Sequence, residues 1–186
     1  MNAPQTSWVV TLVLEDDLLT LNRAMGIIRR RNLPVGNVAF GLTSRPGTLR
    51  LTCIVTSDRA AAERMANAMG KMAAVREVAV YPEAECTLRE HALVRVRVPS
   101  AGLSALLDAV SLFQATIVEE RPEEILLEAT GASPFMLSFL RALEPFGIID
   151  VARGATLALP PQAVAEGSGV PRAISVSPRL PTAVPA

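Results

Sequence analysis

The sequence predicts an α+β protein made of two tandem units, each with the element order βαββαβ. Short apolar runs of strand character alternate with segments in which apolar residues recur every three or four positions, the spacing of one helix face. The turn Arg45-Pro46-Gly47 stands between two such runs and predicts a hairpin, with Gly47 supplying the positive φ. The same order recurs in the second half of the chain. It is the order of the split βαβ, or ferredoxin-like, arrangement.

The first unit is predicted to span residues 8–82. Its elements would be a strand at Trp8–Leu14, a helix at Leu18–Arg31, strands at Val35–Leu42 and Thr48–Val55, a helix capped by Ser57-Asp58, and a strand at Val75–Tyr81. The first helix would pack through Leu18, Leu21, Met25 and Ile28. The second helix carries Ala62, Met65, Met69 and Met72. We expect this stripe to be core, although a methionine stripe can also form an adaptable partner surface.

The second unit is predicted to span residues 83–159. Its elements would be a strand at His91–Val98, a helix beginning at Ser100, a hairpin of Thr116–Arg121 and Ile125–Thr130, a helix introduced by Gly131-Ala132-Ser133-Pro134, and a strand at Val151–Leu159. Pro134 is well placed near the first helical position. Residues 1–7 are expected to be flexible. Residues 160–186 contain six prolines and no periodic apolar face, which predicts a disordered tail.

Composition excludes several classes of function. The chain has 18 basic and 18 acidic residues, so it lacks the basic excess of a nucleic-acid-binding protein. No apolar run is long enough to span a membrane, and the N-terminus has no apolar leader; we expect a soluble cytoplasmic protein. The two cysteines, Cys53 and Cys86, have no metal-ligand spacing. The chain has no phosphate loop, and its single histidine, His91, has no nucleophile beside it. The sequence therefore predicts neither an enzyme nor a metal or cofactor site.

The turn after the first strand has two possible interpretations. Strand-to-helix turns hold small anions on first-turn amides, and Asp16 and Asp17 stand at that position. The turn either binds a ligand or is capped by its own acids. The roles of two basic clusters also have two possible interpretations each. Arg29-Arg30-Arg31 could contact a partner or simply end the helix, and Arg95 with Arg97 could form a docking face or a solvated one.

Several segments resemble one known family. Leu21–Arg31 is similar to the pattern LxRVxGLFxRR, and Leu88-Arg89-Glu90 with the following AxVRVRV is similar to REL-AL-KV. In the second unit four further segments resemble LFRA, EVTG, LxPFGI and EIARTG; they are Leu112–Ala115, Glu128–Gly131, Leu143–Ile148 and Val151–Gly154. Together these segments resemble the small, regulatory subunit of acetolactate synthase, whose first domain is of the ACT type.

The resemblance implies a non-catalytic homodimer, joined through its ACT domains, that binds a large thiamine-diphosphate-dependent catalytic subunit. That assembly raises the large subunit's activity and transmits feedback inhibition by a branched-chain amino acid, usually valine. In the family the effector lies between two ACT domains. It is held by an NxPG turn of one chain and by an asparagine that opens the next strand of the partner.

This sequence departs from the family at every one of those effector positions. Alignment places Asp16, Leu18 and Leu19 at the Asn, Pro and Gly of the turn, and Pro34 at the partner's asparagine. Leucine obstructs the approach of a carboxylate to the backbone, and proline offers no N–H donor. The sequence thus predicts a regulatory subunit whose valine feedback is weakened or lost. The alternative is a stand-alone ACT-type sensor of another small metabolite, with Leu18 and Leu19 lining a more apolar pocket.

Overall fold

The structure, a computed structural model, describes residues 6–98 and 102–160, and the backbone of residues 174–175. The chain divides into two compact units. Among the described residues, one contains residues 6–87 together with 158–160 and 174–175, and the other contains residues 88–98 and 102–157. The break therefore follows Thr87, five residues beyond the boundary suggested by the sequence pattern.

The first unit has the predicted βαββαβ order, which confirms the ferredoxin-like assignment. Its elements are β1 (Thr6–Glu15), α1 (Leu18–Arg31), β2 (Val35–Leu42), β3 (Thr48–Ser57), α2 (Arg59–Gly70) and β4 (Val75–Pro82). The antiparallel sheet has the order β4-β1-β3-β2, so β2 is an edge strand. A further short strand, which we number β10 (Ile174–Ser175), pairs with the other side of β4. The rest of the predicted tail beyond Pro160 lies outside the described residues.

Strand β1 starts two residues before its predicted beginning. Thr6 and Ser7 have no apolar signal, yet they pair with Ser57 and Thr56 at the end of β3. The Trp8 indole N–H also donates to the Ser57 carbonyl at 3.1 Å. The ladder of the central strand therefore orders two residues that the sequence assigned to a flexible segment.

The core of the first unit lies between one face of the sheet and the two helices. The Met65 and Met69 side chains are fully buried there, which confirms that the methionine stripe is core. The predicted stripe of α1 is partly wrong, because Leu18 is 81% exposed and Met25 is 38% exposed. The buried line of α1 instead runs through Thr20, Ala24 and Ile28. Leu21 and Ile27 are partly buried against the core, whereas Leu18 and Met25 point outward.

The second unit repeats the same order. Its elements are β5 (Thr87–Arg97), α3 (Leu103–Leu112), β6 (Thr116–Arg121), β7 (Glu124–Gly131), α4 (Ser133–Leu143) and β8 (Ile148–Arg153). A short strand, β9 (Leu157–Leu159), follows where this unit ends. The antiparallel sheet has the order β6-β7-β5-β8. Helix α3 begins at Leu103 after Gly102; the predicted start at Ser100 lies outside the described residues. The final strand, predicted as Val151–Leu159, is divided into β8 and β9.

A buried carboxylate explains that division. Glu90 is only 4% exposed, and it accepts hydrogen bonds from the Arg153 Nε at 2.7 Å, from the Thr156 hydroxyl at 2.9 Å and from the Ser133 hydroxyl. The chain turns after Arg153, where the Gly154 N–H donates to the His91 carbonyl at 2.8 Å. This turn delivers Thr156 to Glu90. The carboxylate thus joins β5, the start of α4 and the end of β8.

Candidate functional site at the first strand-helix turn

The turn between β1 and α1 is fastened to two neighbouring loops. The Glu15 N–H donates to the Ala74 carbonyl and the Asp16 N–H donates to the Gly47 carbonyl, each at 3.0 Å. Gly47 has a φ of 70°, as the hairpin between β2 and β3 requires. The turn is therefore a fixed part of the first unit, and its backbone amides before the helix already have protein partners.

Asp17 caps the helix with its own carboxylate. One side-chain oxygen accepts hydrogen bonds from the Thr20 N–H and the Thr20 hydroxyl, both at 2.9 Å. These bonds, with a further one from the Leu19 N–H, hold the pKa of Asp17 below its usual value of 3.8. Two first-turn N–H groups that could hold an anion, those of Leu19 and Thr20, are thus taken by this side chain. Asp17 acts as a cap, and Asp16 is exposed with no side-chain partner among the described residues.

Leu18 and Leu19 make the outer side of this turn apolar. Leu18 is 81% exposed and Leu19 is 55% exposed. They border a shallow concavity of about 680 Å³ on α1, lined by Asp17, Leu18, Leu19, Leu21, Asn22 and Met25. Asp17 is already engaged as the cap, so Asn22 is the remaining polar side chain in the lining. Such a surface suits apolar contact and offers little to a charged group.

Pro34 does not join the other three predicted positions within one chain. It precedes β2, where its carbonyl accepts from the Thr56 N–H at 2.9 Å. At that end of the sheet, the residues paired across β2, β3 and β1 are Val35, Val55 and Trp8. The turn lies at the other end, after the paired residues Leu42, Leu49 and Leu14. Six residues of strand separate these two sets, which is about 20 Å. The structure therefore brings Asp16, Leu18 and Leu19 together and leaves Pro34 at the opposite end of the sheet.

Within the part of the chain that the structure describes, strand β2 forms a ladder with β3 alone, and it carries no charged residue along Val35–Leu42. Phe40 is 62% exposed and Leu42 is 78% exposed. They pair with Leu51 and Leu49, whose side chains belong to the helix-covered core. Sequence reasoning missed this surface, although the absence of charge from a predicted strand was a readable signal.

The two basic clusters differ in their surroundings. Arg29, Arg30 and Arg31 are exposed and close α1, whose chain then reverses at Asn32 in the left-handed region. There they complement the helix dipole. In the second unit Arg95 pairs with Glu124 at 3.0 Å and reaches Glu119 at 3.9 Å. That part of the β5 face is therefore neutralised by its neighbours.

The described residues contain neither a metal-binding cluster nor a membrane-spanning helix. No three His, Cys, Asp or Glu side chains of residues 6–98 and 102–160 lie together so as to hold a metal ion. Likewise, no helix in the described part of the chain is long and apolar enough to cross a lipid bilayer.

Comparison with known proteins finds similarity to one family. Residues 89–161 match a family model described as the small subunit of acetolactate synthase. The chain is 30% identical over 151 residues to the acetolactate synthase small subunit of Mycobacterium leprae, covering 81% of this chain and 89% of the relative. It is 29% identical over 157 residues to that of Mycobacterium bovis, covering 84% and 93%.

A solved structure agrees with the fold. The acetolactate synthase small subunit of Thermotoga maritima superposes with a TM-score of 0.76, at 22% sequence identity. The superposition covers 85% of this chain and 99% of the Thermotoga chain. At that identity the likeness supports the fold alone and says nothing about ligands.

Proposed function

Because this chain belongs to the family of acetolactate synthase small subunits, we propose that it is a non-catalytic regulatory subunit which binds and activates a thiamine-diphosphate-dependent large subunit. The transferase activity, acetolactate synthesis in the pathway to valine, leucine and isoleucine, would belong to that large subunit. The family relation carries this proposal, since the similarity extends over both units. A cytoplasmic location stays a prediction of the sequence.

We further propose that the first strand-helix turn no longer senses valine. The observation that supports this is the capping geometry of Asp17, which occupies the first-turn N–H groups of Leu19 and Thr20 that an effector carboxylate could otherwise use. A competing carboxylate would approach Asp16 and Asp17. Like charges repel there, although solvent and salt weaken the effect because both side chains are exposed. Leu18 and Leu19 add apolar bulk at the same place.

The proposed assembly includes a homodimer joined through the first units. An uncharged, exposed edge strand such as β2 is a ready template for pairing with another strand. Antiparallel pairing of two β2 edges would bring Pro34 of the partner subunit towards the Leu42 end of this chain. That end adjoins the turn, so the four substituted positions would meet across the two-fold axis.

A stand-alone sensor of another small metabolite is the second candidate. The apolar concavity of about 680 Å³ beside Leu18 and Leu19 favours it, because an uncharged apolar ligand could fill that surface. In this case the chain would bind its ligand without any large subunit.

Activation of the cognate large subunit tests the leading proposal. The large subunit is assayed for acetolactate formation alone and with increasing amounts of this chain, and the mixture is passed through a size-exclusion column. We expect a higher rate and a shared, earlier elution volume. We also expect the activated rate to stay unchanged when valine is added. An unchanged rate together with separate elution would contradict the regulatory role, and inhibition by valine would contradict the loss of sensing at the turn.

A further inference from the structure

A second cavity lies wholly inside the second unit. It has a volume of about 520 Å³ and is formed where β6 begins, β7 ends and α4 starts. Strand β6 starts at Thr116, opposite Glu128, while β7 continues to Gly131. The sheet therefore has a notch at this edge. The residues that line it are Arg89, Phe113, Gln114, Thr116, Glu128, Ala129, Thr130, Gly131, Ala132 and Phe135.

The cavity carries charges of both signs. Arg89 has no carboxylate partner among the described residues, and its guanidinium donates only to the neighbouring Leu88 carbonyl at 2.8 Å. The Glu128 carboxylate lies 2.9 Å from the His91 Nε2. The His91 side chain is 49% exposed and that of Glu128 is 44% exposed. A guanidinium that is still available for a carboxylate and a carboxylate that can take an ammonium group thus border the same space.

An aromatic wall closes one side of the notch. The rings of Phe113 and Phe135 meet edge to face, with centroids 5.4 Å apart and an interplanar angle of 66°. Gly131 is required for this arrangement, because a Cβ there would lie 2.1 Å from a ring carbon of Phe135. The wall is therefore held in place, and it presents apolar surface to the same cavity that the charged groups border.

Gln114 adds a polar group at a conformational cost. The Gln114 N–H donates to the Ser111 carbonyl and the Ala115 N–H to the Val110 carbonyl, the hydrogen bonds of a Schellman ending of α3. Its φ is 50°, in the left-handed region where glycine is usual. The chain nevertheless has a glutamine here, and its side chain lines the cavity.

We propose that this cavity binds an α-amino acid with a large apolar side chain. Arg89 would take the α-carboxylate, Glu128 would take the α-ammonium group, and Phe113 with Phe135 would pack against the side chain. Gln114 and Thr130 would complete the polar contacts. A simple anion would leave Glu128 and the aromatic wall unused, and an amine would leave Arg89 unused. The inference does not depend on the proposed regulatory function, since the site is complete within one unit of one chain.

Calorimetry of the full chain tests this assignment. The probes are L-leucine and L-phenylalanine, with 4-methyl-2-oxopentanoate and isopentylamine as analogues of leucine that each lack one charge. We expect saturable heat with at least one amino acid and affinity at least about tenfold weaker for both analogues. No saturable heat with either amino acid up to about 10 mM would overturn the proposal. Equal affinity for an amino acid and its 2-oxo acid would also overturn it.

Substitutions then locate the site. Arg89→Gln and Glu128→Gln should each weaken amino-acid affinity at least about tenfold, while the first-unit variant Leu18→Ala should leave it unchanged. Gln114→Gly should weaken affinity and raise the melting temperature, a pair of effects that a purely structural glutamine would not give. Unchanged affinity in Arg89→Gln and Glu128→Gln, or a loss only in Leu18→Ala, would place the ligand outside this cavity and overturn the proposal.

Discussion

Glu90 and Asp17 are carboxylates whose environments give them structural roles. Asp17 is exposed, and its carboxylate accepts hydrogen bonds from the first turn of α1. Glu90 is buried, and burial alone would raise its pKa. The hydrogen bonds from Ser133, Arg153 and Thr156, with the charge of Arg153, outweigh that effect and hold the pKa of Glu90 below its usual value of 4.5. Both residues stand in segments that sequence patterns single out, and neither is available to a ligand.

Glu90→Gln is expected to destabilise the second unit. Glutamine keeps the side-chain volume but removes the charge that Arg153 requires, so the free energy of unfolding at pH 7 should fall by about 1.5–3 kcal/mol. Urea denaturation monitored by circular dichroism measures this. The exposed control Glu128→Gln should change it by less than about 1 kcal/mol.

The same carboxylate gives a pH dependence. Since the pKa of Glu90 is lower in the folded state than in the unfolded state, its contribution is fully present above pH 4.5 and is lost as the pH falls through the folded value. Wild-type stability should therefore decline more steeply than that of Glu90→Gln below this pH. Parallel curves for the two proteins would show that Glu90 does not contribute in this way.

Gly131→Ala is expected to disturb side-chain packing, while the backbone φ at this position is one that alanine can adopt. The added Cβ would lie 2.1 Å from a ring carbon of Phe135, so the ring must move away from Phe113. The free energy of unfolding should fall by about 1–3 kcal/mol. Gly41→Ala is the matched control, because a Cβ at that strand position meets nothing within 4 Å. Equal stability of the two variants would contradict the packing argument.

At the scale of elements, β2 and β6 occupy the same position in their sheets but differ in charge. Strand β6 is exposed throughout but carries Glu119, Glu120 and Arg121, and such charges discourage pairing with another strand. Strand β2 carries none, and it exposes Phe40 and Leu42. The first unit therefore has an edge suited to self-association, whereas the second has a protected one.

Charges placed on the β2 edge should separate the proposed dimer. Phe40→Lys with Leu42→Lys would bring like charges together across the two-fold axis, and we expect the dissociation constant of the dimer to rise at least about tenfold. Analytical ultracentrifugation measures this change. The matched control is Ile117→Lys with Val118→Lys on β6, which should leave the oligomeric state unchanged. Loss of the dimer in the control alone would show that β6 forms the interface.

At the scale of the whole molecule, the four substituted effector positions should act together. Asp16→Asn, Leu18→Pro, Leu19→Gly and Pro34→Asn would remove one charge and two bulky side chains and add a donor from the partner. Combined with Asp17→Ala, which would free the first-turn N–H donors that this side chain occupies, they should make the activated large subunit sensitive to valine, with inhibition at about 1 mM or below. The same set without Pro34→Asn should give weaker inhibition. A dimeric variant with all five changes and no response to valine would contradict the assigned geometry.

Much of the fold could be predicted because its signals are local. Six-element order in each unit follows from period and turn residues, and Asp17 as a cap follows from its place before a helix. The family resemblance likewise rests on short segments, such as those containing Glu90, Gly131 and Arg153. The structural roles of Glu90, Gly131 and Arg153 were not predictable from the sequence. These residues reach their partners only when β5, β7 and β8 lie side by side in the sheet.

The sequence by itself determined the element order of both units and the resemblance to the family, and it led to the proposal that the turn lacks the family's effector residues. Only the tertiary structure decided which side of α1 is buried, that Phe40 and Leu42 stay exposed on an edge, and that Arg89 and Glu128 border one cavity. The reason is physical: period and capping act within a few residues, whereas burial and charge pairing depend on what the fold places opposite each side chain.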